Sequence, residues 1–317
     1  METKYLILGA TGSIGFAFTN ELLSHGLKTT LLVRNKQKAK SLFNNNSLLE
    51  IIEGDVNDLS TLKSVAKDKD FIFHGINYPY NLWDKFMKQI TQNVIEAAKQ
   101  NKATILFPGN IYAFGNVLVK ITEDSIPNPS TKKGVLRLEL KRMLKDAAQQ
   151  GDCKVVVLRL PDFFGPNVTN GLMKPIFGNA VEKKPIEWLI DADVPHQFVF
   201  TNDAAKLFLM LLKENNLPSY FLINYGGEVV ASINEWSKTI SKISGGTDKV
   251  KVNSKTILNI LSWFVPVVKE LKENFYQFEN AILLDDTKLK KHYPNFQPTK
   301  MDDAIAETVE WFRNNSK

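Results

Sequence analysis

Short apolar runs alternate with stretches of helical spacing through the first 160 residues. The runs at 4–8, 28–33, 48–52, 71–74, 104–107 and 154–160 are of strand length and rich in Leu, Ile, Val and Phe. Between them, 14–25, 36–43, 59–66, 84–100 and 132–150 carry apolar residues at helical intervals, and Gly151 supplies a stop for the last. Strands that alternate with helices predict an α/β fold, a doubly wound parallel sheet of Rossmann type covered on both faces. Such sheets bind ligands at the carboxyl ends of their strands.

The pattern loosens after Pro161. Loops rich in Pro, Gly and Asn fill 162–184. Short strands (186–190, 197–200, 220–224) then mix with helices (203–214, 234–243, 301–314), and Ser232-Ile233-Asn234-Glu235 reads as a capping box. The expected organisation is a nucleotide-binding domain over 1–165, with strands returning from about 195–225, and a smaller C-terminal α/β substrate lobe over 166–317. The apolar stretch 257–261, with Trp263, Phe264 and Val267, reads as an apolar helix of that lobe, with a partner-binding surface as the alternative.

The first apolar run leads into Gly9-Ala10-Thr11-Gly12-Ser13-Ile14-Gly15 and then a helix. Strand, glycine-rich turn and helix are the context that a dinucleotide fingerprint needs. Gly9 permits the tight turn, Gly12 lets backbone N–H groups approach a pyrophosphate, and Gly15 lets helix and strand pack closely. An NAD-preferring site carries an acid about 20 residues further on, at the end of the second strand. Arg34 stands there, with Lys36 and Lys38 behind it. A guanidinium grips a 2′-phosphate in bidentate fashion, so NADP is expected rather than NAD.

Composition narrows the picture. A chain of 317 residues, 44% hydrophobic, can bury a large core. No run approaches the roughly 18 apolar residues of a membrane span, and the start reads as a strand, so a cytoplasmic protein with no membrane partner is expected. The single cysteine, Cys153, excludes an internal disulfide and reads as a buried, inert thiol. Four scattered histidines offer no metal-ligand spacing, and no metal is expected. The net charge of +6 is dispersed without a basic block, which points away from nucleic acid and toward modest attraction for anionic small molecules.

Several blocks in order resemble the extended short-chain dehydrogenases/reductases, the nucleotide-sugar epimerase/dehydratase group. Gly9–Gly15 is similar to that family's glycine motif. Gly54-Asp55-Val56 is similar to its adenine-contacting turn, and Phe71-Ile72-Phe73-His74-Gly75-Ile76 to the strand that runs along the cofactor. Thr91–Ala98 is similar to the helix that follows. Arg159-Leu160-Pro161-Asp162-Phe163-Phe164-Gly165-Pro166 resembles the segment whose backbone meets the nicotinamide, and 197–205 a later conserved-order block. The resemblance implies cofactor contacts from Gly9, Thr11, Gly12, Ser13, Ile14, Gly15, Arg34, Asp55, Val56, His74, Gly75 and Pro161. It also implies a small-molecule substrate and a possible homodimer.

The catalytic positions depart from the family. Asn110 stands where members carry Ser or Thr, and Lys133-Gly134-Val135-Leu136-Arg137 replaces Tyr-x-x-x-Lys. Arg137 keeps the cation and Asn110 keeps a hydrogen-bond donor. Lys133 or Tyr112 is then the proton carrier, with Tyr78 and Tyr80 as further phenols near the cofactor edge. Asp203 is expected to cap the helix after it. Two readings stand: an NADP-dependent enzyme with a rearranged proton relay, acting on a carbonyl or alcohol, and a catalytically degenerate NADP(H) sensor.

Overall fold

The computed structural model describes residues 3–315, without the side chains of residues 266 and 267. The chain divides into two compact units. The first holds the residues up to Gly109, Leu136–Arg159 and Ala204–Ile223; the second holds Asn110–Val135, Leu160–Asp203 and the residues from Asn224 on.

The first unit is built on β1 (Tyr5–Leu8), β2 (Thr29–Val33), β3 (Leu49–Glu53), β4 (Phe71–His74), β5 (Thr104–Gly109) and β6 (Lys154–Arg159). The strand Tyr220–Asn224 completes a seven-stranded sheet beside β6, in the order Tyr220–Asn224, β6, β5, β4, β1, β2, β3. Every pairing from β6 to β3 is parallel. α1 (Ser13–Ser24), α2 (Lys36–Leu42), α3 (Leu59–Ala66), α4 (Trp83–Lys99) and α5 (Lys132–Gln149) connect these strands.

Side chains alternate across the strands, so each face builds its own core. On one face Leu6, Leu8, Ile72, Ile105 and Val155 pack with Leu62 of α3, Ile90 and Val94 of α4, and Leu144 of α5. On the other, the Phe73 ring meets Phe18 of α1 and Phe208, with centroids 5.0 and 5.2 Å apart. A sheet buried on both faces explains why its strands read as unbroken apolar runs. This is a doubly wound α/β fold of Rossmann type.

The second unit holds a three-stranded sheet, in which His196–Phe200 pairs antiparallel with Glu228–Val230 and parallel with Asp162–Phe164. Ile186–Leu189 pairs in parallel with Val250–Asn253. Its core is aromatic: Phe198 stacks on Trp236 at 4.5 Å, and Phe164 and Phe177 each meet Trp236 edge-on. Of the strands expected between 195 and 225, Tyr220–Asn224 joins the large sheet and His196–Phe200 this smaller one.

Two local readings are corrected. Asp203 lies inside the first turn of helix Thr201–Leu212 rather than at its cap, and its carboxylate accepts from Thr299 N (2.8 Å) and Oγ1 (2.7 Å). The stretch 257–261 is a helix of the second unit, as expected, but not a packed one. Only Leu258 is buried, while Ile257, Ile260, Leu261, Trp263 and Phe264 face solvent; the Val267 side chain lies outside the described residues.

Candidate functional site

Strand order reverses between β1 and β4, because the chain steps from β1 to β2 and β3 on one side and from β4 to β5 and β6 on the other. That switch point is where open α/β sheets bind ligands. Gly9 and Gly75 close it. Gly75 N donates to Leu8 O (3.0 Å), and a Cβ on Gly9, at φ +84°, would lie 2.5 Å from Gly75 O. A Cβ on Gly15 would lie 2.2 Å from Gly9 O, so α1 can sit this close to β1 only with glycine there.

Gly12 differs from both. It is exposed, and the only atom near a Cβ placed on it is Gly9 O at 3.3 Å. It is the N-cap residue of α1, and no side chain caps that helix. The first turn therefore presents backbone N–H groups and the positive helix end toward open space, a cradle suited to a pyrophosphate. Thr11 and Ser13 flank it, while Ile14 is buried beneath.

The next loops of the same unit add a planar, polar group. The Arg34 guanidinium lies over the Tyr78 ring, 5.4 Å from its centroid. Asn57 Nδ2 donates to the Tyr78 hydroxyl (3.1 Å) and to Asp55 Oδ1 (2.7 Å), which also accepts from Asn57 N (2.9 Å). Asn93 of α4 fixes this turn by donating to Val56 O (2.9 Å) and Asn57 O (3.2 Å). Val56 itself is buried in the core. Tyr78 further stacks on Phe86 at 4.8 Å. Tyr80 meets Trp83 edge-on at 5.0 Å.

His74 ends β4 fully buried. Its Nε2 lies 3.1 Å from Thr91 Oγ1, and burial, aided by the Arg137 charge, pushes its pKa down to about 3, so the ring is neutral. Arg137 Nη2 donates to Pro108 O (3.1 Å), and its guanidinium rests on the Phe107 and Trp83 rings at 5.0 and 5.6 Å. The cation is thereby held at the end of β5.

In the second unit, Tyr112 N donates to Asn110 Oδ1 (3.3 Å). The start of α5 packs tightly on this turn: a Cβ on Gly134 would lie 2.5 Å from Tyr112 O. Lys133 is buried, with Nζ 2.6 Å from Glu270 and 3.6 Å from Glu273, and its backbone N donates to Glu273 (3.3 Å). Pro161 is buried. The neighbouring Asp162 lines a small pocket with Ile111, His196, Gln197 and Gln277. Burial raises Asp162 to about 6 and lowers His196 to about 4. Among the described residues, no group of three or more His, Cys, Asp or Glu stands together as a metal site.

Sequence reasoning missed Asn57, Asn93, Glu270 and Glu273. Asn57 had a usable signal, two residues beyond Asp55 in a strand-end turn. The glutamates had none, because they meet Lys133 across 137 and 140 residues.

A sequence profile of the NAD dependent epimerase/dehydratase family matches residues 5–226. The chain belongs to that family. The uncharacterized protein YLL056C of Saccharomyces cerevisiae is 25% identical over 162 residues, 50% of this chain and 53% of that one. The chain thus spans about half the length of that relative. A Bacillus subtilis protein described as an uncharacterized UDP-glucose epimerase, YtcB, is 22% identical over 263 residues, 76% of this chain and 82% of its own. Among solved structures, UDP-glucuronic acid 4-epimerase from Bacillus cereus in complex with NAD superposes with a TM-score of 0.80 at 17% identity, covering 99% of this chain and 100% of that one. The epimerase/dehydratase fold accordingly extends through both units.

Proposed function

We propose that this epimerase/dehydratase family member is an NADP-dependent enzyme that acts on a carbonyl or alcohol of a small or nucleotide-sugar-like substrate. One observation carries the reading: the uncapped start of α1, Arg34 and the Asn57–Tyr78 pair all follow strands of one sheet on its carboxyl side. Backbone N–H groups at Ser13 and Ile14 hold the pyrophosphate, and Arg34 holds the 2′-phosphate. Gly75 contributes backbone near the nicotinamide, which when bound supplies a hydride donor or acceptor. Arg137 provides a fixed cation, and Asn110 donates from Nδ2 to a substrate oxygen. Tyr112 is the proton carrier in this proposal, since Lys133 is committed to two glutamates.

The test is purified protein with NADPH or NADH and a panel of carbonyl compounds and UDP-sugars. NADPH consumption or sugar interconversion supports the proposal. The Lys133 ion cluster also favours the second reading, a cofactor sensor without turnover. Tight NADPH binding with no reaction on any substrate would select it.

A further inference from the structure

The second unit exposes Ile257, Ile260, Leu261, Trp263, Phe264 and Val265, with Trp263 80% and Phe264 76% in solvent. They cover the end of helix Lys255–Leu261 and the turn into helix Pro266–Leu271. Single exposed apolar residues are ordinary, but a contiguous set with an aromatic tip marks a contact surface.

Two further observations identify what it contacts. The turn's N–H groups are taken up within it. Ser262 N, Trp263 N, Phe264 N and Val265 N donate to Leu258 O, Ile260 O, Leu261 O and Leu261 O at 2.8–3.2 Å. Ser262 Oγ donates to Asn259 O at 2.6 Å. These donors need no water, which lowers the cost of meeting an apolar phase. The charges are also sorted. Glu270 and Glu273 turn to the buried Lys133, and Glu279 pairs with Lys255. Lys269 and Lys272 remain exposed as the outward charges beside the tip.

We propose that residues 257–265 dock on an anionic phospholipid surface. Trp263 and Phe264 enter the boundary between headgroups and acyl chains, and Lys269 and Lys272 meet lipid phosphates. An anionic bilayer opposes these two exposed lysines with the complementary sign. No helix among the described residues is long and apolar enough to cross a membrane, so the tip lies on the surface. The Lys133 ion pairs fasten it to the first turn of α5. The proposal departs from the sequence expectation of no membrane partner.

The experiment is co-sedimentation of the full chain with phosphatidylcholine vesicles and with mixed phosphatidylcholine/phosphatidylglycerol vesicles. Wild type should pellet with the anionic vesicles. Trp263→Asp/Phe264→Asp and Lys269→Glu/Lys272→Glu should each lower partitioning by roughly tenfold or more, with unchanged melting temperatures. Failure of wild type to pellet with anionic vesicles would overturn the proposal, as would pelleting that the aromatic pair does not affect. Self-association that Trp263→Asp/Phe264→Asp abolishes, without vesicle binding, would overturn it in favour of a second copy.

Discussion

Lys133 Nζ lies 2.6 Å from a Glu270 carboxylate oxygen, deep enough that the lysine side chain is 5% exposed while the glutamate is 27% exposed. An amine held this way, with Glu273 also 3.6 Å away, ties the start of α5 to the segment 270–273. Lys133→Met should therefore act on stability. Urea unfolding should show a loss of about 1.5–3 kcal/mol, the usual worth of a hydrogen bond to a charged group. Turnover falling without any change in stability would return Lys133 to an acid–base role.

The Arg34–Tyr78 contact makes the cofactor preference testable in two steps. Arg34→Ala should weaken NADPH binding by about 1.5–3 kcal/mol, by loss of a charge-assisted pair, and leave NADH binding unchanged. Tyr78→Leu removes the ring beneath the guanidinium and should cost NADPH about 0.5–1 kcal/mol through the weaker cation–π term. Calorimetry with both cofactors measures each value. Equal wild-type affinities for NADPH and NADH would refute the assignment to NADP.

Two glycines of one motif should fail in opposite ways. Gly15→Ala forces a Cβ to within 2.2 Å of Gly9 O, so it should lower the melting temperature with or without cofactor. Gly12→Val extends into open space at the start of α1, so it should melt like wild type but lose stabilisation by NADPH. Thermal scans with and without NADPH separate the two. NADPH stabilisation that survives Gly12→Val would remove the pyrophosphate from that helix end.

The parallel sheet was legible because strands buried on both faces show as apolar runs. All six of its first strands were placed in sequence to within two residues at either end. Asp162–Phe164 and Glu228–Val230 were not, since three residues hold too little alternation to register. The glycine turn before α1 and the place of Arg34 after β2 were legible because they depend on local spacing. Tyr78 under Arg34 and the glutamates on Lys133 were not, because each contact joins loops that only the folded chain brings together. The exposed tip at 257–265 defeated the pattern differently: apolar spacing predicts burial, and here most of those side chains are in solvent.

Acid sensitivity follows from three buried groups whose effects oppose. His74 and His196 sit at about 3 and about 4 in the folded chain, below their unfolded value, so the unfolded chain binds more protons at these sites as pH falls below about 6.5. Their stability contribution is present above that pH and is lost toward pH 4. Asp162, raised to about 6, works the other way: the folded chain holds its proton between about pH 4 and 6. Two histidines outweigh one aspartate near pH 5 by about one proton, so these groups give a slope of ~1.4 kcal/mol per pH unit. Asp162→Asn should raise stability at pH 7 and steepen the loss on acidification. Melting temperatures of the two proteins from pH 4.5 to 7.5 test this, and parallel curves would show that Asp162 does not titrate in that window.

The proton relay is best tested at Tyr112, because its backbone is fixed from both sides. Its N–H donates to Asn110 Oδ1 at 3.3 Å, and its carbonyl sits where Gly134 leaves room for nothing larger. Tyr112→Phe should therefore keep the ring in place and remove only the hydroxyl. Turnover should fall roughly 10²–10⁴-fold with NADPH affinity intact, the contribution of a positioned acid–base group. Arg137→Ala should behave differently, weakening NADPH binding and turnover together, because it deletes the cation held by Pro108 O and the Phe107 and Trp83 rings. Stopped-flow binding and steady-state kinetics on the two variants separate kcat from cofactor affinity. Full turnover in Tyr112→Phe would exclude the tyrosine as proton carrier, whatever the result at Arg137.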